Sequence, residues 1–230
     1  MRQIIGILGG TFDPPHNGHV FIAESFTSIL GLKAVCLMPN FIPPHKAPAV
    51  ASDRDRLAMI RLLCDGNEKF LCLDDEIRRQ DVSYLSQTLQ RLAEKEMFQN
   101  LCMVFIMGAD SLEAFHTWHR PDEILRLCNL AVASRPGCAM RSPRDEINRR
   151  IIGLENFDPD RNGQIVAVKT EEIPLSSTQL RNNPQLISES TVPPPVLSYI
   201  SRHHLYHARK PENRRSDPLL LRKGAGSESA

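Results

Sequence analysis

Apolar positions along the chain follow two rhythms. Ile4-Ile5 with Ile7-Leu8, Ala34 to Met38, Phe70 to Leu73, Leu101 to Met107, Asn129 to Ala133 and Ile165 to Val168 are short apolar runs, the pattern of strands buried on both faces of a parallel sheet. Between them the period is helical. Val20, Phe21, Ala23, Phe26, Ile29 and Leu30 make one broad face before Gly31, and Leu57, Ile60, Leu63 and Cys64 make another over about residues 53–66, where Ser52 and Asp55 have capping-box spacing. Arg54, Arg56 and Arg61 are expected on the exposed side of that second helix. Leu85, Leu89 and Leu92 mark a third helix, and Pro143 with Arg144-Asp145 predicts a surface helix carrying Ile147, Ile151 and Ile152 within a connecting stretch. Strands alternating with helices predict an α/β protein with an open, mainly parallel sheet and helices on both faces. One domain over residues 1–207 is expected, followed by a disordered tail over 208–230 that is rich in Arg, Lys, Pro, Gly and Ser, with Leu219-Leu220-Leu221 as its one contact patch.

Composition narrows the functional classes. A net charge of +1 over 230 residues offers no global attraction to nucleic acid or to an anionic membrane, so any anion must be held locally. The six cysteines include no CxxC pair, and several fall in apolar runs, which suits reduced core residues better than a zinc site or a disulfide framework. The first strand begins almost at once, without a basic leader and long apolar segment, and no apolar stretch reaches membrane-spanning length, so the cytoplasm is the expected compartment.

The chemistry gathers where strands end. Gly9-Gly10-Thr11-Phe12-Asp13-Pro14-Pro15-His16-Asn17-Gly18-His19 joins the first strand to the first helix. Its glycines allow close backbone approach, the helix start points free N–H groups outward, and His16 and His19 lie three apart, able to share one face. That is the outline of a phosphate site. It is neither a GxxxxGK[ST] loop nor a GxGxxG turn. Asn40, His45 and Lys46 sit in a Pro-rich loop beyond the second strand, the edge at which open α/β sheets bind ligands. Asp110, in Gly108-Ala109-Asp110-Ser111, is either a helix cap or a ligand contact, and Trp118 either core or a stacking platform. Asp74-Asp75-Glu76 reads as a solvated strand end rather than a metal cluster, and His203, His204 and His207 as an exposed helix end rather than a metal site. Ser177 or Thr178 can cap a late helix, with Arg181 one turn on and placed for bidentate contact with a phosphate.

The eleven-residue block ending in His16-Asn17-Gly18-His19 resembles the HxGH signature of the nucleotidyltransferase superfamily, most closely that of the bacterial nicotinate-mononucleotide adenylyltransferases, and Leu175-Ser176-Ser177-Thr178-Gln179-Leu180-Arg181 is similar to the superfamily's second signature, [IL]SSTxxR. The likeness runs from about residue 3 to about Tyr206 and implies a Rossmann-like fold. It implies that His16, His19, Lys46 and Arg181 are catalytic, and that Gly9, Gly10, Thr11, Phe12, Gly18, Gly108, Asp110, Arg135, Ser177 and Thr178 bind ATP. It places Asp13, Asn40, His45, Ser83, Tyr84, Leu85, Trp118 and His119 at the mononucleotide, with the Ser83-Tyr84-Leu85 amides and the Trp118 indole around the nicotinate ring. Leu85 stands where the family usually has Thr, so a hydroxyl contact to the substrate carboxylate is lost while backbone donors survive. Arg56 also occupies a family arginine position.

Adenylyl transfer from ATP to nicotinate mononucleotide, in NAD biosynthesis, is the activity implied. The attacking phosphate is already anionic at neutral pH, so no general base is required and catalysis reduces to gathering two polyanions and neutralising charge in the transition state. Mg²⁺ is expected to arrive on the ATP phosphates, since magnesium habitually binds that way. Nicotinamide mononucleotide or phosphopantetheine as acceptor, or an idle nucleotide-binding protein on the same fold, are the alternatives.

Overall fold

A computed structural model describes residues 1–42, 48–134, 141–171 and 174–206. The strands are β1 (Gln3–Gly10), β2 (Ala34–Pro39), β3 (Phe70–Cys72), β4 (Leu101–Gly108), β5 (Asn129–Ser134), β6 (Ile151–Ile152) and β7 (Ile165–Lys169). The helices are α1 (Asn17–Leu30), α2 (Asp53–Asp65), α3 (Asp75–Arg79), α4 (Leu85–Glu94), α5 (Ala109–Ala114), α6 (Pro121–Leu127), α7 (Asp145–Asn148), α8 (Ser177–Asn182) and α9 (Pro194–Arg202). The strands form one seven-stranded sheet in the order β3-β2-β1-β4-β5-β7-β6, with every neighbouring pair parallel. The Rossmann-like α/β expectation is met. The chain reverses its direction of travel across the sheet between β1 and β4, and a ligand crevice opens beyond the carboxyl ends of the strands at such a switch point.

Burial on both faces explains the unbroken apolar runs. On β4, Cys102, Val104 and Ile106 face the layer that holds Phe26, Ile60 and Val196 of α1, α2 and α9, whereas Met103, Phe105 and Met107 face Leu89 and Leu92 of α4 and Ile124 of α6. Successive side chains of one strand therefore feed two cores. α1 ends where Gly31 takes φ 62°, a left-handed conformation that glycine adopts without steric cost, and its N–H reaches the Thr27 carbonyl.

Four expectations are corrected. Arg56, expected on the exposed side of α2, is fully buried: it donates to the Thr11 carbonyl at 2.7 Å and pairs with Asp53. Ile151 and Ile152 do not continue a surface helix. They form the short edge strand β6 beside Ile165 and Val166, because α7 stops at Asn148 and β-branched side chains suit a pleated edge. Glu76 is not a solvated strand end but lies buried in α3, accepting from Thr88 Oγ1 at 2.8 Å. The cap of α8 is neither Ser177 nor Thr178 but Ser176, whose hydroxyl accepts from the Gln179 N–H. Cys36, Cys102 and Cys128 are buried and Cys64 and Cys72 half-buried, all as free thiols, while Cys138, His207 and the tail lie outside the described residues.

Candidate active site

A cleft of about 850 Å³ opens at the carboxyl ends of β1 and β4. At one end stands the first signature. His16 and His19 stack with ring centroids 3.7 Å apart, and the His16 N–H donates to His19 Nδ1 at 3.2 Å, which makes that nitrogen the acceptor and leaves the ring proton on Nε2. Burial pushes the His16 imidazole down to about 4 from an ordinary 6.5, so it is neutral at pH 7. A Cβ on Gly18 would meet the His16 ring at 3.0 Å, the physical reason for a glycine between the two histidines. Phe12, with φ 50°, sits buried against His19 at 4.8 Å between centroids.

The second signature is fastened directly to the first. Ser177 Oγ donates to the Pro14 carbonyl at 2.8 Å, the Arg181 guanidinium donates to the Asp13 carbonyl at 2.7 Å, and its other arm reaches Thr178 Oγ1 at 3.1 Å. With Arg56 on Thr11, three carbonyls of the loop, those of Thr11, Asp13 and Pro14, are held by residues far away in sequence. The Asp13 carboxylate, expected at the mononucleotide, accepts from the Val50 and Ala51 amides and the Tyr206 hydroxyl at 2.7–3.1 Å. Asp13 is buried and, like Thr11, Phe12, Ser177, Thr178 and Arg181, is not among the described residues that line the cleft. Gly9, Gly10, Gly18, Gly108 and Asp110 do line it, the last two at the turn from β4 into α5, where Gly108 and not Asp110 occupies the cap position.

The other end is aromatic. Trp118 packs edge-on against Phe105 and Phe115 at 6.0 and 5.5 Å, Tyr84 and His119 lie 4.4 Å apart between ring centroids, and His119 Nδ1 is 2.9 Å from Ser86 Oγ. Ser83 joins this wall to the end of β2, its hydroxyl accepting from the Phe41 N–H and its N–H donating to the Ile42 carbonyl, both at 2.9 Å. Behind it, burial raises the Glu76 carboxyl despite the opposing Thr88 and Ser83 hydroxyls. Asn40 lines the cleft with its side-chain oxygen buried and unpartnered among the described residues, an acceptor with its capacity open. Asn40, Ser83, Tyr84, Leu85, Trp118 and His119 all line this cleft, and Glu76 and Met38 line it without having been anticipated, while Ser86 reaches it through His119. His45, Lys46 and Arg135 lie outside the described residues.

The cytidylyltransferase-like family profile matches residues 7–183. A Shewanella sediminis protein named "Probable nicotinate-nucleotide adenylyltransferase" is 36% identical over 209 residues, covering 89% of this chain and 98% of its own length. The chain belongs to the nicotinate-nucleotide adenylyltransferase family. A Pectobacterium atrosepticum protein of the same name is 35% identical over 213 residues, covering 90% of this chain and 100% of its own. Among solved structures, a Plasmodium falciparum nicotinic acid mononucleotide adenylyltransferase superposes with a TM-score of 0.65 at 14% identity, covering 89% of this chain and 97% of its own, and thereby matches the fold. That protein has been solved both with APC and with NaAD. No helix among the described residues is long and apolar enough to cross a membrane.

Proposed function

We infer that the chain transfers the adenylyl group of ATP to nicotinate mononucleotide, releasing pyrophosphate and forming nicotinate adenine dinucleotide for NAD biosynthesis. The observation that carries the assignment of roles is the fastening of the two signatures: Arg181 and Ser177 bond to the loop that ends in His16 and His19, so one rigid unit presents both. In this reading the triphosphate lies across the histidine pair, with Gly9, Gly10 and Gly18 admitting it close to backbone. Adenosine extends toward Gly108 and Asp110, with Arg135 assigned to ATP. His19 and Arg181 stabilise the charge that develops as the α-phosphorus is attacked in line, with His16 beside them and Lys46 assigned to the same step. Magnesium enters as part of the MgATP substrate.

The acceptor occupies the aromatic end. Asn40 takes a hydrogen bond from the mononucleotide, Trp118 stacks on its ring, and Tyr84 and His119 flank it, with His45 assigned to the same substrate. The N–H groups of Ser83 and Tyr84 are committed to the Ile42 and Val82 carbonyls. The donors left for a nicotinate carboxylate are therefore the first-turn amides of α4, from Leu85 onward, which have no intrahelical partner. The proposed compartment is the cytoplasm, where these substrates would be met. The test is pyrophosphate release from MgATP with nicotinate mononucleotide. Near-native turnover in both His19→Ala and Arg181→Ala would refute the roles given to these residues.

A further inference from the structure

We propose that Tyr206 and Asp13 are positioning residues that lock the last described segment of the chain onto the first signature and so hold the histidine pair in place for phosphate transfer. Tyr206 lies 193 residues from Asp13, yet its hydroxyl donates to Asp13 Oδ1 at 2.7 Å. The same carboxylate takes the Val50 N–H on Oδ2 at 2.7 Å and the Ala51 N–H on Oδ1 at 3.1 Å, and Arg181 stands 3.8 Å from Oδ2 while bonding the Asp13 carbonyl. One buried carboxylate thus ties four segments together: the signature loop, the residues just before α2, the second signature and the last described segment.

The backbone around Tyr206 supports a dedicated role. After α9 the chain takes left-handed conformations at His204 (φ 52°) and at Tyr206 itself (φ 60°). Non-glycine residues adopt that region at a steric cost, and such outliers persist where the surroundings over-determine them. Here the surroundings include the hydroxyl contact to Asp13 and the packing of the Tyr206 side chain on the core. Burial and the neighbouring Asp13 carboxylate raise the Tyr206 phenol far above its ordinary range, so it remains a proton donor at every pH at which the protein would be assayed. Three residues beyond Asp13 stands His16, whose ring packs on His19. A shift of the loop by a fraction of an ångström is transmitted to both imidazoles. The nucleotide-binding groups are then displaced from the α-phosphorus, while the acceptor end, built on α4, Trp118 and Asn40, keeps its geometry.

The inference rests on adenylyl transfer as the activity, and the test separates the two. Tyr206→Phe removes one hydroxyl, and Tyr199→Phe is the control, because the Tyr199 hydroxyl also donates to a carboxylate, that of Asp55 at 2.9 Å, without touching the signature loop. The expected result for Tyr206→Phe is a kcat lowered about tenfold, an unchanged KM for nicotinate mononucleotide, and displaced imidazole proton signals of His16 and His19 in the NMR spectrum. Tyr199→Phe lowers the thermal midpoint comparably but leaves kcat and those signals in place. Unmoved kcat and imidazole signals in Tyr206→Phe, or equal changes in both variants, overturn the proposal. Should the unaltered chain release no pyrophosphate at all, adenylyl transfer itself is refuted, and the imidazole signals decide the positioning role alone.

Discussion

The two ends of the cleft are built by different means. At the phosphate end, polar contacts converge on backbone: Arg56, Ser177 and Arg181 each take a carbonyl of the loop between Thr11 and Pro14, and Asp13 gathers three further donors. At the acceptor end, shape comes from rings packed on rings, with Ser83 and Ser86 supplying few directional bonds. Under the proposed function the difference fits the cargo. A triphosphate presents charge whose stabilisation falls off with small misplacement, so donors must be preorganised. A flat ring gains mainly from burial and stacking, which tolerate small shifts.

The comparison can be broken most severely at the phosphate end. His19→Ala and Arg181→Ala are each expected to lower turnover by roughly a hundred- to a thousandfold with the fold retained, read as steady-state pyrophosphate release beside a circular-dichroism spectrum. Next comes the acid dependence of stability. The unfolded chain protonates His16 near 6.5 and the folded chain only near 4, so the unfolded state binds more protons between those values and stability falls as pH drops through that window. The full loss attributable to this side chain is roughly 3 kcal/mol. Denaturant titrations from pH 7 to pH 4 measure it, and His16→Asn should flatten that slope while MgATP, by placing anions beside the ring, should shift the fall to lower stability loss at a given pH. The smallest effect belongs to the acceptor end: Trp118→Ala should raise KM for nicotinate mononucleotide roughly five- to tenfold, equivalent to about 1 kcal/mol of stacking, with kcat little changed. An equal loss of kcat would mean that the indole does more than hold the ring.

The same contrast decided what could be read from the chain alone. The phosphate end is legible because its groups are contiguous: glycines for close approach, histidines three apart, and an arginine one turn into a capped helix. The central strands are legible because burial on both faces leaves unbroken apolar runs. Arg56 and Glu76 were misplaced because burial depends on distant groups as well as near ones: beside its neighbour Asp53, Arg56 needs the Thr11 carbonyl, and Glu76 needs the Thr88 hydroxyl, and only the folded chain brings these to them. Tyr206 was passed over for the same reason, since its one decisive contact spans nearly the whole chain. Ile151 and Ile152 carried helical spacing from Ile147, and pairing with β7 overrode it.

The most direct test of the central claim is pyrophosphate release by the purified chain with MgATP and, in parallel, nicotinate mononucleotide or nicotinamide mononucleotide. The account predicts rapid release with the nicotinate form and a strong preference for it, because the first-turn amides of α4 reward a carboxylate over a carboxamide. Equal rates, a preference for the nicotinamide form, or no release with either would contradict it.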